Sequence, residues 1–212
     1  KKMGHGILDF SFENFTQFLA DGRKIVPMGK RYYVGTVREN PKFPWTKISM
    51  SDQTTLFTQL MKAGWDIKTS KLRLKTEVVS INSHVRVVIN DQTEDSKKLR
   101  QIGAQKIIYS KYREKGIDVK LASDLIIGAV DNRYDTAIVV SSDNDLVPAG
   151  DCVRARNKKI EYIGFSIIDK VDPNNSTKPT IQWLKKSDIQ RTLVESDIEK
   201  FITPNQKQTK FI

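Results

Sequence analysis

The sequence predicts an α/β fold in which a central, mainly parallel sheet is flanked by helices. Between residues 118 and 165 the pattern alternates helix, strand, helix and strand, and both strands are apolar over most of their length. Such runs are typical of parallel strands that are buried on both faces. The 212 residues are enough for one domain with its own core. The four predicted elements are a helix at 118–130, a strand at 137–140, a helix at 148–157 and a strand at 160–165.

The first third of the chain predicts two helices and one strand. Apolar residues recur at helical spacing in 12–19, and RYYVGTV at 31–37 has the composition of a strand. A loop with Pro41 and Pro44 follows, and the second helix is predicted from Ser51 or Asp52 to residue 62, with Gly64 after its end.

An inserted β-hairpin is predicted next. Residues 71–79 and 84–89 alternate and are rich in β-branched side chains, with a turn at 81–83. Residues 93–115 are charged and are predicted to be mostly helical. Residues 1–190 are therefore expected to form one domain, and residues 191–212 a C-terminal helix and tail.

The charge balance favours a polyanionic partner. The chain has 36 Lys and Arg against 25 Asp and Glu, a net charge of +11 and a pI near 9.6. Nucleic acid is the expected partner, rather than a membrane, although a solvated basic surface is equally consistent with the charge. No apolar run approaches the ~20 residues of a membrane span, and no signal peptide opens the chain. Cys152 is the single cysteine, which predicts a reducing, cytoplasmic compartment.

Two carboxylates follow the predicted strand at 137–140. In SSDNDLVP, Asp143 and Asp145 stand at the carboxyl end of the strand, where open α/β sheets place their ligands. Pro148 suits the first turn of the helix that follows. The D-x-D pattern alone is also typical of a turn that caps a helix.

The preceding helix supplies two further acids. Asp118 and Asp124 differ by ~240° of helical rotation, so both can face one site only if Asp118 precedes the helix. Asp118 is interpreted either as the helix N-cap or as a ligand, and Asp124 as the better candidate ligand. Lys120 is an i,i+4 neighbour of Asp124 and is expected to pair with it or to contact phosphate.

Carboxylates that converge at one strand end repel each other unless a cation neutralises them. Mg²⁺ or Mn²⁺ prefers such oxygen ligands, activates water and stabilises charge on a phosphoryl group. In a basic protein this combination indicates phosphodiester cleavage.

Two other classes use a similar D-x-D. An EF-hand requires Gly and Glu where this chain has Pro148 and Arg154. A phosphatase of the haloacid-dehalogenase type also ends a strand in D-x-D, but little patterned chain remains downstream for its further motifs. It is kept as a minor alternative.

Three motifs follow one another between residues 115 and 165: KGIDVKLASDLI, YDTAIVVSSDNDLVPAG and KKIEYIGF. In their order and spacing they resemble the NYN family of PIN-like nucleases. The resemblance implies a Rossmann-like PIN-type fold and metal-dependent ribonuclease chemistry. It also implies that Asp124, Asp143 and Asp145 bind the metal ion, with Asp118 as a further catalytic acid. Ser141 and Ser142 fall in the turn on the phosphate side.

The family's first acid, in a D-x-x-N motif that ends a strand, has no match. Asp9 and Asn14 are five residues apart rather than three, so the strand is expected upstream of Lys1. If that acid is absent, the alternative is a catalytically inactive NYN-type module with an RNA-binding or regulatory function.

Candidate nucleic-acid contacts lie around these motifs. Single-stranded RNA is the expected partner, DNA is an alternative, and a homodimer is left open. Phe43 and Trp45 stand among cations and are interpreted either as stacking partners for unpaired bases or as buried loop anchors. The predicted contacts are Lys120, Ser141, Ser142, Arg154 and Arg156, where the two arginines also fit a solvated helix end.

Overall fold

The computed structural model describes residues 6–41, 43–80, 106–169 and 172–203. The chain forms two compact units. Unit 1 comprises Lys1–Ser70 and Gly116–Ile212, and unit 2 comprises Lys71–Lys115. Among the helices in these ranges, none is long and apolar enough to cross a membrane.

Unit 1 contains a three-stranded parallel sheet in the order β5-β6-β7. Its strands are β5 (Thr136–Val139), β6 (Lys159–Ser166) and β7 (Ile189–Val194). Helices cover the sheet because apolar side chains alternate between its two faces. The helices are α1 (Phe12–Ala20), α2 (Trp45–Lys62), α3 (Ile117–Val130), α4 (Val147–Arg154), α5 (Ile181–Lys186) and α6 (Glu195–Glu199).

Two hydrophobic clusters lie on the opposite faces of this sheet. Tyr162 belongs to a cluster with Val139, Leu146 and Trp183, against which α3 packs. Its neighbour Ile163 belongs to the other cluster, which α1 and the C-terminal residues complete. Burial of both faces explains why β5 and β6 are mainly apolar, with the charge of the one buried carboxylate in β6, Glu161, balanced by Arg23 and Arg191.

A second short sheet in unit 1 pairs β1 (Arg31–Thr36) with β2 (Asp66–Lys71). The Asp66 amide donates to the Lys30 carbonyl (2.9 Å), and the Thr36 hydroxyl donates to the Ser70 carbonyl (2.9 Å). Both strands therefore run in the same direction. The predicted α/β class is confirmed as short parallel sheets flanked by helices. The described residues of unit 1 form two sheets, whereas a single central sheet was predicted.

Unit 2 contains an antiparallel pair, β3 (Arg73–Ser80) and β4 (Lys106–Arg113). The register runs from Arg73 opposite Arg113 to Ser80 opposite Lys106. The predicted partner strand at 84–89 lies outside the described residues. The helical prediction for 93–115 was wrong over β4, because KIIYSKYR is rich in β-branched and aromatic residues that favour a strand.

The C-terminal part of the chain adds structure that was not predicted. Strand β7 pairs with β6 along its length, and Leu193 is buried in the core. The domain boundary expected after residue 190 therefore falls within a strand of the sheet. Helix α6 lies in the range where a C-terminal helix was expected.

Candidate active site

Asp124 is held by two residues of β1. Its Oδ2 atom accepts a hydrogen bond from the Tyr33 hydroxyl (2.8 Å) and lies 3.7 Å from Nη1 of Arg31. The side chains of Asp124 and Arg31 are partly buried. These contacts fix the Asp124 carboxylate through one oxygen and place it beside a permanent positive charge.

Tyr33 donates its hydrogen bond to this carboxylate as a neutral phenol. Burial raises the pKa of its hydroxyl well above the usual value, and the hydrogen bond to the negatively charged Asp124 raises it further. A neutral phenol can donate to a carboxylate, whereas a phenolate would repel it.

The turn after β5 carries the other two acids. Asp143 caps a 3-10 turn, Asn144–Leu146, by accepting a hydrogen bond from the Asp145 amide (2.9 Å). The Ser141 hydroxyl oxygen accepts from the Asp143 amide (3.2 Å). The prediction that both acids follow a parallel strand is confirmed, and Pro148 lies in the first turn of α4 as expected.

A buried tryptophan anchors the same turn. The indole N–H of Trp183 donates to the Asp143 carbonyl (2.8 Å), and Trp183 is 1% exposed and stacked on Tyr162. Trp183 is thus a core residue. Its hydrogen bond additionally fixes the backbone from which the Asp143 carboxylate extends.

Helix α3 brings Asp124 towards this turn, because α3 packs against both the 3-10 turn and α4. The donor types suit a hard divalent cation, since all three side chains are carboxylates on adjoining elements. Within the described ranges, however, no three or more His, Cys, Asp or Glu side chains are grouped so as to hold a metal ion. The ligand set of Asp124, Asp143 and Asp145 thus stays a prediction.

An open groove of about 460 Å³ lies beside Asp124. Two lysines line it, and both are held by neighbouring groups. Lys120 Nζ donates to the Thr69 carbonyl (2.5 Å), so it does not pair with Asp124 as one interpretation expected. Lys68 Nζ pairs with Asp66 (2.9 Å). The groove is lined by Ile67, Lys68, Thr69, Val119, Lys120, Ser123 and Asp124.

Asp118 lies inside α3, whose N-cap is Gly116 in the left-handed conformation (φ 89°). It is therefore not the cap. With both acids inside one regular helix, the ~240° of rotation between them directs Asp118 and Asp124 to different sides of α3. The catalytic role of Asp118 stays a prediction that this arrangement does not support.

The predicted backbone-binding arginines differ in their surroundings. Arg154 donates to the Lys186 carbonyl (2.9 Å) and lies near the carboxylates of Asp151 (3.5 Å) and Asp188 (3.4 Å). It therefore joins α4 to the segment that follows α5. Arg156 is exposed, as is Ser142, and both remain available for a ligand.

Several residues of the site were not predicted. The sequence around Arg31 and Tyr33 indicates only a strand. Tyr33 lies 91 residues from Asp124 in the chain. No local pattern connects them. The family's first acid was sought at Asp9 and Asn14, but Asp9 is buried in a 3-10 turn, Ile7–Asp9, and Asn14 lies on α1.

Open α/β proteins bind their ligands at the carboxyl ends of parallel strands. Asp143 and Asp145 follow such a strand end, which is typical of this class of protein. The family model of the NYN domain matches residues 69–182, more than half of the chain. The chain belongs to the NYN domain family, and the resemblance found in the sequence is confirmed. NYN domains are PIN-like and are generally nucleases. No curated protein and no solved structure matches the chain.

Proposed function

We propose that the chain is a divalent-metal-dependent ribonuclease that hydrolyses phosphodiester bonds. The observation that carries the proposal is the turn after β5, where Asp143 and Asp145 follow a buried parallel strand in an NYN domain. Trp183 fixes the backbone of this turn. Asp124 extends from the helix that packs against it.

Three groups of residues have different proposed roles: metal ligands, residues that orient a ligand, and contacts to the phosphate backbone. Asp124, Asp143 and Asp145 would hold Mg²⁺ or Mn²⁺, which supplies an activated water and neutralises charge on the phosphoryl group. Tyr33 and Arg31 orient Asp124 and lower the repulsion between it and a phosphate. Lys68 and Lys120 in the groove, with exposed Arg156, are the proposed backbone contacts, and the net charge of +11 adds long-range attraction.

Single-stranded RNA in the cytoplasm is the proposed substrate, and DNA is the alternative. A polyanion suits the charge, and NYN nucleases act on RNA in general. A homodimer is compatible with the proposal and is not required by it.

The first prediction tests the proposed metal site. Asp143→Asn retains the size and the capping ability of the side chain but removes a charge that the cation needs. We expect it to abolish Mn²⁺-dependent cleavage of a fluorescent single-stranded RNA, while RNA affinity in EDTA stays the same or rises.

The matched control is Asp135→Asn near the opposite end of β5, where the carboxylate is fully exposed and pairs with Lys158 (3.1 Å). This variant should cleave like the wild type. Equal activity of Asp143→Asn and the wild type would contradict the proposed site.

A second candidate is an inactive NYN-type module that binds RNA. The ion pair between Arg31 and Asp124 favours it, because a carboxylate that is already neutralised by an arginine has less need of a metal ion. This candidate predicts salt-dependent RNA binding without metal-dependent cleavage by the wild type. A phosphatase would instead release phosphate from small monoesters and leave RNA chains intact.

A further inference from the structure

Phe43, just before α2, and Trp45, its first residue, form an aromatic platform on which Trp45 is exposed and Phe43 partly exposed. Trp45 is 55% exposed, whereas Trp183 is 1% exposed. The two rings lie 6.4 Å apart with their planes inclined by 46°. An indole buries ~150–250 Å² when it serves as a core anchor, so the interpretation of Trp45 as a buried loop anchor is wrong.

The loop under the platform is held by a buried threonine. Thr46 is 0% exposed; its hydroxyl oxygen accepts from the Asn40 amide (2.8 Å) and its O–H donates to the Phe43 carbonyl (2.6 Å). The Phe43 amide donates in turn to the Asn40 carbonyl (2.8 Å). These hydrogen bonds fix the backbone that carries the rings. The entropic cost of ordering this segment when a ligand stacks on the rings is therefore small.

The charges around the platform favour a polyanion. Between residues 37 and 51 the sequence has three cations, Arg38, Lys42 and Lys47, and one acid, Glu39. Arg38 and Lys47 are exposed. An aromatic face bordered by cations is the combination with which proteins bind unpaired bases and their phosphates.

The platform is connected to the candidate active site through β1. The side chain of Gln53, on α2, accepts from the Val37 amide (2.9 Å) and donates to the Gly35 carbonyl (3.0 Å). Tyr33, which holds Asp124, precedes Gly35 by two residues in the same strand, or ~7 Å at the rise of a strand. Strand β1 therefore contacts both Asp124 and the helix that begins at Trp45.

We propose that Trp45 stacks on an unpaired base of single-stranded RNA, next to the nucleotides at the acidic residues. The 46° inclination of the rings prevents a sandwich between them, so the base stacks on the exposed face of Trp45. The inference rests on the proposed function for the identity of the ligand. Measuring RNA binding in EDTA tests stacking in the absence of cleavage. The stacking proposal and the proposed ribonuclease activity can therefore be contradicted separately.

The test measures binding of a 12-nucleotide oligouridylate by fluorescence anisotropy in EDTA at constant salt. Trp45→Leu keeps an apolar side chain but loses the π face, and we expect affinity to fall by about tenfold. Trp45→Phe should restore most of it. The salt slope should not change, because stacking releases no counterions, whereas Lys47→Ala should lower that slope by about one.

Three controls separate stacking from other effects. Ile48→Ala removes a side chain of α2 that is 68% exposed and should leave affinity unchanged. An abasic oligonucleotide of equal length should bind the wild type and Trp45→Leu equally, as should an RNA duplex. Unchanged oligouridylate affinity in Trp45→Leu would overturn the proposal and leave the exposed ring as a docking site for a protein. Equal losses with the abasic chain would also overturn it.

Discussion

At the scale of single residues, the candidate active site depends on partners that hold each carboxylate in place. The Asp124 carboxylate contacts a phenol and a guanidinium. The Asp143 carboxylate accepts from the Asp145 amide, while the Ser141 hydroxyl and the Trp183 indole hold the Asp143 backbone. These partners limit the directions in which the carboxylates can point. Pre-positioned carboxylates lose less entropy when a cation binds, which is why such supporting contacts matter for affinity.

Tyr33→Phe should destabilise the protein and change its alkaline unfolding. At pH 7 the lost hydrogen bond to a charged carboxylate costs about 1.5–3 kcal/mol. The fold favours the neutral phenol, so the pKa of Tyr33 is higher in the folded than in the unfolded state. Its contribution to the free energy of unfolding is therefore complete below the pKa of the unfolded state, near ~10. That contribution is lost as the pH rises through the pKa of the folded state. The wild type should therefore lose more stability above pH ~10 than Tyr33→Phe does. Urea unfolding at several pH values measures both effects.

Tyr32→Phe is the control at pH 7. Tyr32 is the neighbour of Tyr33, and its ring contacts Phe12 (5.5 Å between centroids). Equal destabilisation by the two substitutions would show that the Tyr33 hydroxyl has no special role.

Site residues could be predicted where their partners are close in the sequence, and could not be predicted where their partners are far away in the sequence. Asp143 and Asp145 could be placed because an apolar strand, a D-x-D and Pro148 follow one another in the chain. Arg31 and Tyr33 could not, because their contact with Asp124 exists only after β1 and α3 have packed. The hydrogen bond of Trp183 joins it to a residue 40 positions away, so no local pattern could reveal it.

At the scale of secondary-structure elements, α3 is fitted closely to the segment that follows it. The Tyr134 hydroxyl donates to the Leu125 carbonyl (2.5 Å), so its ring lies across the helix. An added Cβ at Gly128 would lie 2.5 Å from Cε1 of this ring. The absence of a side chain at Gly128 is therefore a requirement of packing.

Gly128→Ala should destabilise the protein although it raises helix propensity. An alanine inside a helix is normally favoured over glycine by ~0.5–1 kcal/mol, whereas overpacking of this kind costs about 1–3 kcal/mol. The ring can move only by giving up its hydrogen bond to Leu125. Thermal unfolding of Gly128→Ala and of the double variant with Tyr134→Ala separates the two effects: the alanine should become neutral or stabilising once the ring is absent. Destabilisation in both backgrounds would contradict the packing argument.

Elements with a strong local pattern were predicted almost to the residue, and those with mixed patterns were not. Helix α3 was predicted from 118 and begins at Ile117, and β6 was predicted at 160–165 and spans Lys159–Ser166. Helix α2 begins at Trp45 rather than at 51, because Pro44 suits the start of a helix and not only a loop. Polar strands such as β2 (DIKTSK) carry no periodicity that could reveal them.

At the scale of the whole molecule, a charged cluster around one buried carboxylate links distant parts of unit 1. Glu161 lies in the middle of β6 with its side chain 2% exposed. Its carboxylate pairs with Arg191 on β7 (2.5 Å) and with Arg23, which follows α1 (2.6 Å). Arg23 also donates to the carbonyls of Leu19 (3.0 Å) and Ala20 (2.8 Å) at the end of α1. Two strands and one helix end are thus joined by one carboxylate.

Glu161→Gln should cost about 1.5–3 kcal/mol, because a buried carboxylate loses its charge-assisted hydrogen bonds to two arginines that are themselves partly exposed. Urea unfolding at neutral pH measures the loss. The matched control is Glu13→Gln, which breaks the more exposed pair with Lys30 (2.8 Å) and should cost about 1 kcal/mol or less. Similar losses in the two variants would show that the buried cluster does not stabilise the fold.

The hydrogen bond between Trp183 and the Asp143 carbonyl has an optical consequence. The emission of an indole depends on the partner of its N–H, so a displacement of the acidic turn alters the fluorescence of Trp183. The other two tryptophans, Trp45 and Trp65, can be replaced by phenylalanine, which leaves Trp183 as the single emitter. The protein then carries its own spectroscopic probe, 2.8 Å from the backbone of the residue on which the proposed chemistry depends, and a titration with Mn²⁺ or RNA can be followed without any added dye.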